Sequence, residues 1–424
     1  MKFGLFYEHQ LPRPWSEDAE ERLFCDALDQ IELADRLGID YLWEVEHHFL
    51  EEYSHSSAPE VFLGACSQRT RRMRLGHGIM LMPPSYNHPA RAAERIATLD
   101  LVSNGRIDWG TGESGSMMEL GGFGISREEK GAMWREATEQ AIRMTMMSPY
   151  PGFKGKYFEM PCRNVVPKPV QKPHPPLWLA CSKRESIHRA ARLGMGALAF
   201  AFVEPEQAAK WIEEYYDIIR SDECVPLGWS VNANVALVSG LSCHPDHDEA
   251  VRRGLDGFKF FGYSLGHYAM FGAHQPSLTD LWARFAEIKD TLPRDAGQGG
   301  IGTPDEVRDH LRRYEQAGVD QIIFVQQSGL NRHADICESL ELFASAVMPE
   351  FRAREVARQA EKERQLAPYI AAALARKPPL VPVAHADIPL VEAFGRRAPR
   401  APQFSDRDGA LAAPRHDPHE AATS

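Results

Sequence analysis

Two adjacent histidines close an apolar run and are the first candidates for chemistry in this chain. The run reads YLWEVEHHF, and its His47 and His48 follow Glu46 directly. Imidazole gains and loses a proton near neutral pH, so a histidine that faces a cavity can act as a general acid or base. Because side chains alternate along a strand, only one of the two can face a cavity fully, and we expect the other to hydrogen-bond in the wall. A histidine satisfied in the core or in a loop is the ordinary alternative to a catalytic one.

An anion site is a second candidate, in the loop that follows the apolar run LWLAC. The loop carries Ser182, Lys183, Arg184 and Ser186 and then enters a helical pattern. Backbone N–H groups at the start of a helix, serine hydroxyls and two cations together suit a phosphate group. The alternative is a solvent-exposed helix cap with ordinary surface charges.

Short β-type runs alternate with helical patterns up to about residue 350, and this order predicts how the candidates are positioned. The runs are KFGLFY, YLWEVE, RLGHGIMLM, RIDWGTG, LWLAC, ALAFAF, SVNANVALVSG and QIIFVQ. Eight alternating units of this kind predict an α/β fold, a (β/α)8 TIM barrel with insertions, which carries its chemistry on the loops at the C-terminal ends of the strands. An open doubly wound sheet would use the same alternation, but no G-x-G-x-x-G pattern follows the first run.

Two stretches interrupt the alternation. Residues 149–176 mix Pro, Lys and aromatic residues without a helical period, and they predict an excursion with a hairpin through YFEMP and NVVPKP. Residues 261–302 are rich in Gly and aromatic residues and predict a long loop after the seventh strand.

The chain changes character at about residue 350. Residues 1–350 form the predicted barrel domain, whereas residues 352–377 are rich in Arg and Glu with a helical period, and Pro, Ala, Arg and His dominate after that. We therefore expect a C-terminal extension, residues 351–424, made of a helix that packs on the barrel or on a partner subunit and of a flexible tail.

Composition and charge argue against several classes of partner. The formal net charge of -11 disfavours nucleic acid or an anionic membrane, because both normally require a basic face. No apolar run is long enough to span a membrane, the N-terminus lacks a signal-peptide pattern, and seven scattered cysteines without a C-x-x-C pair are expected to be reduced thiols. We expect a cytoplasmic protein without a metal site, since His244, Asp246 and His247 fit a helix start better than a ligand set.

Five segments, taken in order, resemble the bacterial luciferase family of flavin-dependent monooxygenases. They are MKFGLF, GIDYLWEVEHHF, LGHGIMLMPPSYNHPARAAERIATLDLVSNGRIDWGTG, PPLWLACSKRESI and GTPDEVRDHLRRYEQAGVDQIIF, and the resemblance covers about residues 1–350. It implies a homodimeric two-component enzyme that takes reduced FMN from a separate NAD(P)H-dependent flavin reductase. Reaction with O₂ would give a flavin C4a-hydroperoxide, which inserts one oxygen atom into a small apolar organic substrate.

The resemblance also implies roles for individual residues. His47 corresponds to the acid/base of the family beside the reactive edge of the flavin, with His48 as the second choice. A non-prolyl cis peptide lies under the flavin ring in the family, and the matching bond would join Gly78 to Ile79, with His77 as an additional group on the flavin side. Ser186 would donate its hydroxyl to the flavin phosphate, and the backbone near Ser182 and Lys183 would complete the contact.

This chain departs from luciferase itself after the fourth strand. Where luciferase has a Cys-Arg pair, the sequence GTGESG places Gly112 and Glu113. The change removes a cation from the phosphate site, for which Lys183 and Arg184 are expected to compensate, and the loss of the thiol gives no reason to expect light emission. The segment FKFFGYSLGHYAMFGAHQPSLTD matches a mobile lid of the family, and its aromatic residues either close over the substrate or pack beneath a long loop.

Two other functions remain open at this point. Relatives with this barrel transfer hydride with the deazaflavin F420, which does not activate O₂ in the same way. A flavin-binding relative without catalysis is the third possibility, and a positioned acid/base such as His47 argues against it.

Overall fold

The predicted β-type runs form the strands of a closed parallel barrel. The protein is described here by a computed structural model that covers residues 1–200, 202–293 and 295–392. Its strands are β1 (Lys2–Tyr7), β2 (Tyr41–Glu44), β3 (Arg74–Leu81), β4 (Ile107–Gly112), β5 (Tyr150–Lys154), β6 (Glu159–Arg163), β7 (Leu177–Cys181), β8 (Gly196–Ala199), β9 (Val235–Ser239), β10 (Ser242–Cys243), β11 (Ile301–Gly302) and β12 (Gln321–Gln326). Strands β1, β2, β3, β4, β7, β8, β9 and β12 follow one another around the barrel, and β12 pairs with β1 to close it. The predicted (β/α)8 TIM barrel is confirmed.

Helices surround this barrel and connect its strands. They are α1 (Ala19–Leu37), α2 (Pro59–Arg69), α3 (Pro89–Val102), α4 (Met117–Gly122), α5 (Lys130–Met146), α6 (Arg184–Arg192), α7 (Pro205–Arg220), α8 (His247–Gly266), α9 (Leu281–Ile288), α10 (Pro304–Gln316), α11 (His333–Leu342) and α12 (Met348–Ala375). Shorter turns are π-helical at His267–Phe271 and Phe343–Val347 and 3₁₀-helical at Lys289–Thr291, Ala296–Gly300 and His385–Asp387. Within the described ranges, no helix is both long and apolar enough to cross a membrane.

Two tryptophans fill the interior of the barrel. The rings of Trp43 on β2 and Trp178 on β7 meet edge to face with centroids 5.1 Å apart, and these strands are not neighbours, so the contact crosses the interior. On β3, a Cβ atom at Gly76 would lie 2.1 Å from Trp43 and one at Gly78 would lie 2.8 Å from it. The glycines of β3 therefore provide the space that the Trp43 ring occupies.

The two inserted stretches differ from their predictions. The hairpin pairs β5 with β6, so YFEMP contributes a strand but NVVPKP does not, because Pro167 and Pro169 lack the amide hydrogens of a ladder. The prediction of a long loop over 261–302 was wrong as well, since α8 continues to Gly266 and α9 follows. Gly257 within α8 allows a close approach to residue 328, because a Cβ there would lie 2.3 Å from the Ser328 carbonyl oxygen.

Helix α12 packs across the N-terminal ends of the barrel strands. Its Phe351 is buried against Phe3 of β1, with ring centroids 5.6 Å apart. Its Lys362 ammonium donates to the Asp320 carboxylate at 2.8 Å, just before β12, and to the Asn234 side chain at 2.6 Å, just before β9. The helix expected in the extension is present and bonds to the barrel, whereas the part of the expected tail from residue 393 to residue 424 lies outside the described residues.

We expect Gly76→Ala to lower the free energy of unfolding by roughly 1–3 kcal/mol, the usual cost of overpacking a core. The added methyl would overlap the ring of Trp43, whose position the rest of the interior fixes. Gly262→Ala in α8 is the matched control, because a Cβ there meets nothing within 4 Å, and it should be neutral or stabilise by up to about 1 kcal/mol. Urea unfolding measures both, and equal midpoints would contradict the packing argument.

Candidate active site

His47 lies at the mouth of the barrel, in the loop that follows β2. Its Nδ1 lies 2.9 Å from Glu119 Oε1, and its Nε2 lies 3.6 Å from Glu8 Oε2. An ionised carboxylate only accepts hydrogen bonds, so Nδ1 carries a hydrogen and the ring is fixed in one orientation. The side chain is 20% exposed, and among the described residues no hydrogen bond is made to its Nε2.

Glu119 is a fully buried carboxylate on the short helix α4. Besides His47, it accepts hydrogen bonds from the backbone amide of His48 at 2.9 Å and from the hydroxyl of Ser114. Burial opposes the charge, but the charge of His47 and these hydrogen bonds outweigh it and hold the pKa of Glu119 below its usual value. Glu119 is therefore ionised and orients the imidazole.

Glu8 follows β1 and approaches His47 from the other side. Its Oε1 accepts a hydrogen bond from the Tyr53 hydroxyl at 2.8 Å, and its Oε2 has no hydrogen-bond partner among the described residues. Burial raises the pKa of Glu8 to about 7. For His47, burial alone would lower the pKa, but the nearby carboxylates of Glu119 and Glu8 raise it to about 9.

His48 belongs to the wall of the mouth. Its Nε2 lies 3.2 Å from Glu46 Oε1, and its ring stacks on Tyr86 and meets Phe123 at its edge. Glu46 is itself held by Leu81 N–H at 2.7 Å and by the Asn87 side chain. Glu119 therefore orients His47, whereas Glu46 holds His48 in the wall of the mouth.

The peptide bond between Gly78 and Ile79 is not cis, which corrects the expectation from the family. Among the described residues, the cis bonds precede Pro14, Pro149, Pro167 and Pro173. Strand β3 instead shifts its register against β4 between His77 and Met80. Ile79 packs on the bare backbone of Gly112, where a Cβ would lie 1.8 Å from Ile79 Cδ1.

His77 does not face the flavin side, contrary to the expectation. Its neighbours Gly76 and Gly78 face Trp43 in the interior, so alternation turns His77 outward to the helices. There it is buried, with its Nε2 3.9 Å from the Glu60 carboxylate of α2. Burial lowers its pKa, so the ring is neutral near pH 7.

The predicted phosphate loop lies at the start of α6. Ser182 and Lys183 are exposed, and Ser186 Oγ accepts from the Lys183 amide at 3.2 Å while donating to the Lys183 carbonyl at 2.6 Å. The Arg184 guanidinium forms a two-bond ion pair with Glu214 of α7. Lys183 is therefore the better placed of the two cations to meet an anion.

The charge of Glu113 is balanced by residues that the sequence analysis missed. Its carboxylate lies 3.6 Å from the Arg189 guanidinium of α6, and Arg189 also covers the Trp134 ring at 4.7 Å. The charge of Glu113 also acts on Lys130 of α5, whose ammonium donates to the Ser114 carbonyl. Compensation for Glu113 thus comes from Lys130 and Arg189, whereas Arg184 is engaged elsewhere.

Other functional residues were also missed by the sequence analysis. Glu8 ends the run KFGLFYE, and a charged residue at a barrel strand end was a usable signal. Glu119 stands in the pattern S-x-x-E, where Ser116 caps α4 by accepting from the Met118 amide at 3.2 Å. That pattern predicts a helix start, but not a partner for His47.

We expect Glu119→Gln to lower the pKa of His47 below about 9, because it removes the carboxylate charge beside Nδ1. The pKa of His47 is about 9 in the folded protein and 6.5 in the unfolded chain, so the protonated imidazole stabilises the fold. This stabilisation is complete below about pH 6.5 and is lost as the pH rises through about 9. The variant should therefore lose less stability between these pH values than the wild type. NMR titration of His47 and urea unfolding at both ends of the window measure the two effects.

The control for this variant is Glu128→Gln. Glu128 is exposed and bonds the Ser126 hydroxyl, so its replacement should leave the His47 titration unchanged. A His47 pKa that is equal in wild type and Glu119→Gln would show that Glu119 does not set it.

Comparisons with known proteins identify the family of this chain. The family described as luciferase-like monooxygenase matches residues 1–321. An uncharacterised protein of Sinorhizobium fredii is 34% identical over 254 residues, which cover 57% of this chain and 70% of the relative. The oxygenase component of a flavin-dependent trigonelline monooxygenase from Acinetobacter baylyi is 24% identical over 85% of this chain and 98% of its own. An F420-dependent glucose-6-phosphate dehydrogenase of Amycolatopsis mediterranei is 25% identical over 70% of this chain and 87% of its own.

Solved structures give the same result for the fold. Monooxygenase RslO1 of Streptomyces bottropensis has a TM-score of 0.68 and 27% identity, over 83% of this chain and 100% of its own. The oxygenating constituent of 3,6-diketocamphane monooxygenase from Pseudomonas putida, in complex with FMN, has a TM-score of 0.65 over 82% of this chain and 98% of its own. Its 19% identity shows likeness of fold alone. With a family match across most of the barrel and a mouth built around His47, this chain belongs to the luciferase-like monooxygenase family.

Proposed function

We propose that this protein is the oxygenase of a two-component, FMN-dependent monooxygenase that inserts one atom of O₂ into a small apolar organic substrate. The observation that carries the proposal is the His47 ring, which Glu119 holds at Nδ1 and whose side chain is 20% exposed, with its Nε2 3.6 Å from Glu8 Oε2. A positioned imidazole of this kind can give and take a proton beside a reacting cofactor. A flavin reductase that supplies reduced FMN, a homodimer and a cytoplasmic location belong to the same proposal.

The residues of the mouth fit a flavin. Buried polar atoms without hydrogen-bond partners among the described residues include the Tyr86 hydroxyl and the Tyr268 hydroxyl. Unpaired buried polar atoms are costly, and a ligand with ring nitrogens and carbonyl oxygens would satisfy them. Gly78 and Ile79 on β3 would lie along the ring system, and Ser182, Lys183, Arg184 and Ser186 would surround the phosphate, with Lys183 as the main cation.

Different residues of the chain would have different roles at this site. When bound, reduced FMN would supply the electrons that activate O₂. His47 would hold a proton at Nε2, and Glu119 would keep that nitrogen directed at the mouth. The ring of Tyr53 contacts His47, Phe261 and Tyr268, and these aromatic rings would exclude water from the reacting atoms.

Hydride transfer with F420 is the alternative function. It is favoured by the F420-dependent relative described above. A flavin-binding protein without catalysis is disfavoured, because Glu119 and Glu8 hold an acid/base that mere storage does not require. Titration with reduced FMN and reduced deazaflavin in parallel separates the two enzymes, since tight deazaflavin binding without O₂ consumption would identify hydride transfer.

We expect His47→Ala to lower the rate of substrate oxygenation by about 10²- to 10⁴-fold, the usual contribution of a general acid/base. A screen of small apolar compounds with reduced FMN and O₂ supplies the substrate, and product formation measures the rate. Binding of FMN should change little, because His47 is not among the proposed phosphate or ring-backbone contacts.

The control for His47 is His244→Gln. The His244 ring bonds the backbone of Asp246 at the start of α8, so this variant should turn over like the wild type. Full turnover by His47→Ala would contradict the proposed role.

We expect Lys183→Ala to weaken FMN binding by about 10- to 100-fold while leaving riboflavin binding unchanged. A charge-assisted hydrogen bond contributes roughly 1.5–3 kcal/mol, and riboflavin lacks the phosphate that would receive it. Fluorescence titration with both oxidised flavins measures the difference. Lys156→Ala is the control, because Lys156 is exposed and paired with Glu129 at 2.6 Å, and equal losses for FMN and riboflavin would place the phosphate elsewhere.

A further inference from the structure

The two buried glutamates that flank His47 are not equivalent. Glu119 accepts hydrogen bonds from His47, from the His48 amide and from the Ser114 hydroxyl. Glu8 accepts its hydrogen bond from Tyr53, and its second oxygen, Oε2, is buried without a hydrogen-bond partner among the described residues. The unpaired oxygen points at His47 Nε2 from 3.6 Å.

This difference decides which glutamate carries a proton. Hydrogen bonds that end on a carboxylate favour its charged form, whereas burial without them favours the neutral form. The pKa of Glu119 accordingly lies below its usual value despite burial, and burial raises the pKa of Glu8 to about 7. At neutral pH Glu119 is the fixed anion, and Glu8 is the carboxyl that gains and loses a proton.

The groups that face the pair come from several elements. Glu8 is faced by His47, Tyr53 and Ser54 of the loop after β2 and by Glu44 at the end of β2. Of these, the charge of Glu44 favours the protonated form of Glu8, and the others favour the carboxylate. His47 is faced by Glu8, Glu119 of α4, Glu46 of its own loop and the ring of Tyr53. All of the charged groups that face His47 are carboxyl groups, so the imidazole retains a proton readily.

We propose that Glu8 is a positioning residue that holds a proton in reserve for His47 and passes it from Oε2 to Nε2 after His47 has delivered its own. The transfer breaks the O–H bond of the Glu8 carboxylic acid and forms an N–H bond on neutral His47. It leaves a carboxylate and an imidazolium, so the net charge of the pair is unchanged. The reverse transfer, from the imidazolium to the Glu8 carboxylate, restores the acid and leaves His47 neutral, so that His47 can take up the proton that the reaction returns.

The geometry supports direct exchange between the two side chains. A closing movement of about 0.5 Å would bring Oε2 and Nε2 from 3.6 Å to hydrogen-bond distance. Tyr53 holds the other oxygen of Glu8, which fixes the direction of the carboxyl. Glu8 is 2% exposed while the His47 side chain is 20% exposed, so His47 is the member of the pair that meets the substrate. The inference rests on the proposed function and names the second proton carrier of that site.

The deciding experiment is a ¹³C NMR titration of the cofactor-free protein labelled at the glutamate carboxyl carbons, in wild type, Glu8→Gln and Glu8→Asp. We expect a wild-type glutamate signal with a midpoint near pH 7 that is missing in Glu8→Gln, together with a lower His47 pKa in that variant. The Glu128→Gln control should keep the signal. The inference is overturned if the glutamate signal that titrates near pH 7 is still present in Glu8→Gln, or if the wild type shows no such signal.

The pH profile of substrate oxygenation tests whether the stored proton is used. The wild-type rate should change with a midpoint near pH 7, Glu8→Gln should lose that step, and Glu8→Asp should restore a step because it restores a titratable carboxyl. A merely structural role would lower the rate at every pH without moving the profile, and that result overturns the exchange.

The two tests also separate this inference from the proposed function. A protein that consumes no O₂ with reduced FMN would refute the monooxygenase, and the cofactor-free titration would still decide whether Glu8 holds the proton. A normal oxygenase whose Glu8 titrates like an exposed glutamate would refute the inference alone.

Discussion

The contact between His47 Nδ1 and the Glu119 carboxylate holds the mouth of this barrel together. It joins the loop after β2 to α4, and each partner needs the other. A carboxylate buried without a partner costs several kcal/mol, so Glu119 can remain inside only because His47 and its other donors meet it. Conversely, without the carboxylate the imidazole would lose its fixed orientation. The candidate catalytic histidine is thus also a structural one.

The loop after β2 extends this arrangement to the segment that covers the mouth. While His47 and Tyr53 face the interior, Glu51 accepts from the Ser277 amide at 2.7 Å and Glu52 accepts from the Leu281 and Trp282 amides at the start of α9. A carboxylate at the start of a helix satisfies amides that have no partner within the helix. The loop after β2 therefore contacts both the start of α9 and the residues around His47. A movement of α9 would be transmitted to His47 through this loop.

Much of the fold could be predicted from the sequence, because strands buried on both faces read as continuous apolar runs such as QIIFVQ. His47 could be identified as a candidate from the sequence for the same reason, since it follows such a run. Glu119 was not, because it lies 72 positions away from His47 and their meeting depends on where α4 packs. The glycines of the stretch 261–302 were misleading, since their local composition favours a loop, whereas α8 continues through Gly262 to Gly266. The cis bond expected at Gly78 is absent from the described residues, and nothing in the sequence itself distinguishes a cis from a trans bond at that glycine.

The barrel separates stability from chemistry along its axis. At the N-terminal end, Lys362 of α12 ties Asp320 and Asn234 together, and the amino group of Met1 is paired with Glu315 and Glu355. In these pairs each charge is opposed by a nearby partner. At the C-terminal end, carboxylates outnumber the cations around His47, and burial raises the pKa of Glu8 to about 7. A buried acid costs the fold stability, and buried acids of perturbed pKa are typical of functional sites. The closed N-terminal end supplies the stability that this arrangement gives up.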